Sequence, residues 1–166
     1  MTRPQAGPST PSRGGRFGCP RWALLARVVM LAGLCLPAFA QQLDLPRATL
    51  SAGGRVLVVQ VAQSPRQQQV GLMHREAMPR DEGMLFVFPA DRARCLWMRD
   101  TPLALSAAFL DATGRIVEVM DLSARSDEIR CSSRPARYVL EMQAGWFADA
   151  GVSVGDVVSG LARDAD

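Results

Sequence analysis

From Arg55 the chain reads Arg-Val-Leu-Val-Val-Gln-Val-Ala-Gln, which in an extended segment puts Leu57, Val59 and Val61 on one face and Val56, Val58 and Gln60 on the other. That period of two predicts a strand, and apolar residues on both faces predict that it is largely buried. The pattern breaks at Ser64-Pro65, where Ser64 can cap a helix, Pro65 takes the first helical position and Gln67 closes a capping box. The expected helix is short, with Val70, Leu72 and Met73 as its apolar stripe. Gly71 within it weakens a helix by ~1 kcal/mol relative to Ala and points to close packing against a neighbour.

Met84 to Phe88 is a continuous apolar run bounded by Gly83 and Pro89, the signature of a mid-sheet strand covered on both faces. After a charged loop, Cys95 to Asp100 alternates, with Cys95, Trp97 and Arg99 on one face and Leu96, Met98 and Asp100 on the other. Two apolar runs then flank Asp111-Ala112-Thr113-Gly114, which predicts a hairpin with a bulged turn. A polar connection, Ser123 to Ala136, is expected to be clipped to the sheet through Cys131. From Arg137 another strand sets Tyr138, Leu140 and Met142 opposite Val139 and Glu141. A short helix near Trp146 ending at Gly151, a turn at Gly155-Asp156 and a last strand complete the pattern. Strand segments dominate over two short helices, so the fold class is mainly β: a small antiparallel sandwich or partly open barrel.

The chain opens differently. A polar leader precedes Arg21, and an apolar stretch from Val28 ends in Ala38-Phe39-Ala40, the small-x-small pattern of a secretory signal peptide. The stretch is shorter than the ~20 apolar residues that span a bilayer and contains Pro37, so residues 1–40 are expected to be cleaved after Ala40 rather than kept as an anchor. Lipid attachment at Cys35 is disfavoured by Leu34 before it. A tail at 41–48, one β domain at 49–162 and a tail at 163–166 then make up a periplasmic or secreted protein with no membrane span.

Losing the leader changes the charge. The whole chain carries +3, from 19 basic and 16 acidic residues. Five of the basic residues and none of the acidic ones precede Gln41, which leaves 14 − 16 = −2 for the exported part. The basic balance belongs to the leader and gives no support to nucleic-acid binding. Of four cysteines, Cys95 and Cys131 remain. In an oxidising compartment an even pair is most economically a disulfide, with two separate buried thiols as the alternative.

Six segments carry a family likeness: GLMHRE (71–76), GMLFVF (83–88), WMRDT (97–101), AFLDATGRIV (108–117), YVLEMQAG (138–145) and GVSVGD (151–156). In this order they resemble the domain of unknown function 192 family over nearly the whole exported domain. The resemblance implies a compact, mainly β domain of the sandwich class, often exported in bacteria, with no established reaction. Two departures stand out. The family usually continues Trp-Met with Lys-Asn-Thr where this chain has Arg99-Asp100-Thr101, and it commonly places an aspartate where this chain has Ser106.

Candidate chemistry is sparse. Nucleophilic catalysis needs an activated Ser, Thr or Cys beside a base, and the single imidazole, His74, sits between Met73 and Arg75 with no nucleophile elbow in the chain. Carboxylate pairs for glycoside chemistry could come from Asp100, Asp111, Glu141 and Asp156, although turn capping explains Asp111 and Asp156 equally well. Met73, His74, Met78 and Met98 could form a Cu(I) site, but methionine also fills core gaps, and no cofactor or metal is called for. The amphipathic stretch Trp97, Met98, Arg99, Asp100 and Thr101 is the leading ligand-binding candidate, joined by Arg75, Asp111 and Glu141. Trp97 reads equally well as a core residue with its indole N–H satisfied. The function expected from these residues is a non-catalytic exported module that binds a small envelope component or a protein partner. The alternatives are a carboxylate-dependent hydrolase or transferase on an envelope saccharide, and a Cu(I)-binding protein.

Overall fold

The computed structural model describes residues 45–161. The expected leader with its cleavage site, Cys19, Cys35 and both chain ends lie outside the described residues. Within them run β1 (Arg47–Ala52), β2 (Arg55–Ala62), α1 (Pro65–Val70), β3 (Glu82–Arg92), β4 (Cys95–Leu96), β5 (Leu105–Leu110), β6 (Ile116–Leu122), β7 (Arg130–Cys131), β8 (Ala136–Gln143) and α2 (Trp146–Asp149). Six strands form one open sheet in the order β1-β2-β3-β8-β5-β6, and β4 pairs with β7 in a separate ribbon.

The mainly β expectation holds, but the sheet is mixed. β2 and β3 are parallel, whereas the other pairs of the sheet are antiparallel. A parallel pair needs a crossover of a dozen or more residues, and α1 with the loop after it supplies one. The helix is only six residues long, so its βαβ character is hidden in a sequence otherwise rich in strands.

Alternation along the central strands builds a core on each face of the sheet. On β8, Tyr138, Leu140 and Met142 enter one cluster with Leu57, Val59, Leu85, Trp146 and Phe147. Val139 enters the other, with Met84, Phe86, Leu105, Ala107 and Phe109. That double burial explains why Met84 to Phe88 and Leu105 to Leu110 read as unbroken apolar runs. The first cluster is closed by α2, where Trp146 and Phe147 meet edge to face at 5.3 Å between ring centroids and the indole N–H donates to Asp81 Oδ1 at 2.9 Å. Ser106 braces the same corner: its hydroxyl donates to Asp121 Oδ1 at 2.5 Å and accepts from the Gly145 N–H at 2.9 Å.

Local expectations mostly stand, with informative departures. The hairpin at Asp111 to Gly114 forms with a register shift between Phe109 and Leu110. β1 is not among the expected strands, and its first two residues fall in the tail expected at 41–48; it pairs with β2 through the turn Gly53-Gly54, where both residues have positive φ as a two-residue hairpin loop demands. The alternation from Cys95 stops at Leu96, where β4 ends before the chain turns at Arg99-Asp100. The last expected strand is reduced to the bridges Val157–Arg115 and Ser159–Ser51.

Cys95 and Cys131 face each other across β4 and β7 and are joined by a disulfide with Cα atoms 3.9 Å apart. The polar connection is thereby fastened to the strand leading into Trp97. Backbone bonds from Ser132 N to Arg94 O (2.8 Å) and from Met98 N to Ser126 O (3.1 Å) reinforce the clip. Closing a loop between residues 36 apart should stabilise the fold by at most about 3 to 4 kcal/mol in the chain-entropy model. Urea unfolding of the domain from Gln41, with and without reductant, should show a loss of that order or smaller. Thiol titration of the unfolded, unreduced domain should find no free thiol, and reactive Cys95 and Cys131 would contradict the bond.

Candidate functional site

The capping box starts the rim of a cavity. Ser64 Oγ accepts from Gln67 N at 3.3 Å while Gln67 Oε1 accepts from Ser64 N at 2.8 Å, so the first turn of α1 is fixed on both sides. Gln68 Nε2 then donates to Val87 O at 2.7 Å, docking the helix on β3. The helix ends at Val70 rather than continuing through Met73, because Gly71 adopts φ 47° as its C-cap. A Cβ there would stand 3.3 Å from the Phe86 ring, which is the close packing that this glycine implied. Beyond it Leu72 turns into the core at 2% exposure.

The opposite wall is the turn after β4. Thr101 N donates to Met98 O at 3.0 Å, and Asp100 takes φ 59° to close it. Met98 is driven inward and buried, whereas Trp97 stays 37% exposed at the edge. The core reading of Trp97 is thus not met; Trp146 is the core tryptophan.

Between these walls lies a cavity of about 340 Å³, lined by the end of α1, Leu72 and Met73, Phe86 and Phe88 of β3, Trp97, Met98, Thr101 and Glu141. Its size falls at the small end of ligand pockets, roughly 300–1,000 Å³. Glu141 is the only carboxylate in the lining, and no arginine or histidine lines it. It occupies β8 between Met84 of β3 and Ala107 of β5, both fully buried. The residue is 5% exposed, its carboxyl oxygens open to the cavity rather than sealed, and it makes no hydrogen bond or ion pair with the described residues. Burial alone pushes its carboxyl up to about 8, so at neutral pH it is mostly an uncharged acid.

Of the expected site residues, Trp97, Met98, Thr101 and Glu141 therefore converge. Arg99 and Asp100 line a second, polar depression of about 350 Å³ with His74, Glu76, Arg125 and Asp127. There Arg99 Nε donates to Asp127 Oδ1 at 2.6 Å, a bond that raises the guanidinium's already high pKa. Arg75 lines neither: it donates to Gln60 Oε1, its Nε is buried without a partner among the described residues, and burial lowers its pKa. Asp111 caps its hairpin, accepting from Thr113 N at 2.8 Å and Arg115 N at 3.0 Å. Burial raises its carboxyl, but the bonds from Thr113 and Arg115 outweigh that and hold it below the ordinary value. Asp156 accepts from Ser153 N at 2.7 Å in another turn. The four carboxylates considered for glycoside chemistry thus share no cavity. The thioether and imidazole groups considered for copper divide similarly: Met73 and Met98 line the apolar cavity, His74 the polar one and Met78 the core.

Sequence reasoning missed Gln68, Leu72, Phe86 and Phe88 as wall residues. Their signal was Gly71, which marks where the helix end meets β3, and Glu141, a charge flanked by Leu140 and Met142 within β8.

A mixed, open β-sheet domain with an apolar cavity between a helix end and a disulfide-clipped turn is the class these features define. The chain belongs to the uncharacterized ACR family, the domain of unknown function 192, whose model matches residues 48–160. It is similar to a solved structure of a protein from Sinorhizobium meliloti 1021 described as a candidate transcription regulator, with 35% identity, a TM-score of 0.67 and coverage of 71% of this chain and 96% of that one. It is also similar to a protein of unknown function from Novosphingobium aromaticivorans DSM 12444, at 25% identity and a TM-score of 0.62, covering 68% of this chain and 83% of that one. No curated protein matches it.

Glu141 sets a pH dependence with a definite sign. Its folded pKa lies above the unfolded value of about 4.5, so between 4.5 and about 8 the folded state holds a proton that the unfolded state has released. This contribution is fully present below pH 4.5 and is lost as pH rises through 8, at up to about 1.4 kcal/mol per pH unit. Urea midpoints at pH 5.5, 7 and 8.5 should fall with pH in the wild type and fall less in Glu141→Gln. Parallel curves for the two proteins would contradict the assignment.

Proposed function

We propose that this domain is an exported, non-catalytic module that binds a small, largely apolar molecule in the cavity over Glu141. The observation that carries the reading is the uncharged, unpartnered carboxyl among apolar walls. An unmet polar group in such a place costs free energy unless something supplies its hydrogen bonds, and a ligand entering the cavity could do so. Trp97 offers a partly exposed aromatic surface at the edge, and Thr101 adds a hydroxyl-bearing side chain to the wall. Export is supported by the leader's composition and by the disulfide, which persists in oxidising compartments. The regulator description of the Sinorhizobium protein is compatible with ligand sensing, whereas the −2 charge of the exported part offers no support for DNA contact.

One observation favours catalysis: a carboxyl held near 8 is suited to act as a general acid at neutral pH. Against it, the cavity lining contains no second titrating group to act as base or nucleophile partner.

An amide NMR titration of the domain from Gln41 against small molecules, each an apolar body with one polar group, tests the reading. Binding should shift Leu72, Phe86, Met98, Thr101 and Glu141 while leaving the Arg125 to Asp127 segment unmoved, and Glu141→Leu should weaken it at least about tenfold, the loss of one well-placed polar contact. Shifts confined to the polar depression, or turnover of a bound compound, would overturn it.

A further inference from the structure

The same cavity, if it is a binding site, also constrains the charge of what enters. We propose that the ligand is a small organic cation, an alkylammonium or quaternary ammonium group, held against Glu141 between aromatic and thioether walls. This rests on the binding reading above and deepens it.

Three features of the lining point that way. Among the lining residues an anion would find no counter-charge, since they include no arginine or histidine. A cation would find one acidic group, Glu141, and at close range an opposite charge favours ionisation of a carboxyl. The walls suit it as well: Phe86, Phe88 and Trp97 have electron-rich ring faces, and Met73 and Met98 carry polarisable thioethers.

Two of those rings already hold cations in this structure. The guanidinium carbon of Arg94 stands 4.0 Å from the Phe88 ring centroid, and that of Arg99 stands 4.8 Å from the Trp97 centroid. Both arginines are occupied elsewhere: Arg99 is paired with Asp127, and Arg94 donates to the Ala136 carbonyl at 3.1 Å. Neither has an ion pair with Glu141, so the buried acid is left for a charge brought from outside.

Proton balance follows. The free acid holds its proton; when an ammonium group docks, the carboxyl ionises, one proton leaves to solvent, and the carboxylate and cation remain as a pair. Cation binding should therefore tighten as pH rises toward 8 and level off above it, by up to about tenfold per unit because one proton is released per ligand.

Choline and 3,3-dimethylbutan-1-ol, which differ in replacing the quaternary nitrogen by carbon, make the test direct. Binding of each to the domain from Gln41 would be followed by amide NMR at pH 6.5 and 8.5. Choline is expected to bind at least tenfold tighter at pH 8.5 than at 6.5 and tighter than the alcohol at pH 8.5, while the alcohol shows no such gain. Glu141→Gln, a neutral mimic of the protonated acid, is expected to remove both choline's preference over the alcohol and its gain between pH 6.5 and 8.5. Trp97→Ala, at an exposed position, should weaken choline more than the alcohol. Equal or better binding of the alcohol at both pH values overturns the cation assignment and leaves the binding reading standing. Failure of both compounds, together with an empty neutral screen, overturns both.

Discussion

A carboxyl group without a counter-charge sits on the strand that the rest of the sheet is built around. β8 lies between β3 and β5, and Glu141 takes the position where Val139, two residues earlier, is fully buried. An ionised carboxylate at that depth would lose its water and gain nothing in return, so the group keeps its proton to about pH 8. The gap that remains over it is the cavity.

The surrounding elements act to keep that gap open and shaped. α1 is short and would not be stable alone, but its capping box and the bond from Gln68 to the Val87 carbonyl fix it on β3. Gly71 lets the chain leave the helix against Phe86, which brings Leu72 and Met73 to one wall. The other wall depends on the β4–β7 ribbon. Its disulfide and the bonds between the 94–101 and 125–132 segments hold the turn that buries Met98 and leaves Trp97 outside. A rim made of two independently braced segments is suited to a preformed pocket, because little ordering then remains to be done when a ligand enters.

Much of this was legible because its signals are local. The Ser64-Pro65-Gln67 cap, the apolar run at Met84, the Asp111 to Gly114 turn and the alternation across Tyr138 to Met142 each state their structure within a few residues. The cysteine pair was legible once the leader was set aside. What failed was non-local. No residue pattern announced that β2 and β3 run parallel, since register between strands whose partners lie 24 residues apart is set by the path of the crossover. β1 was hidden because Arg47 to Ala52 is half exposed at a sheet edge and only its Gly53-Gly54 turn was diagnostic. Within the site, Trp97, Met98, Thr101 and Glu141 were found by their chemistry, but Arg99 and Asp100 turn away because the strand ends before them, and Asp111 is consumed by its own turn. A polar residue's type says what it can do; the backbone around it decides toward what.

The central claim is that Glu141 is an uncharged acid at neutral pH, and the side-chain carboxyl carbon reports it directly. A ¹³C NMR pH titration of the domain from Gln41, with the Glu141 signal assigned through Glu141→Gln, should show a midpoint near 8. A midpoint in the ordinary glutamate range, about 4 to 5, would mean that the carboxyl is solvated or paired, and the account of the cavity would fail with it.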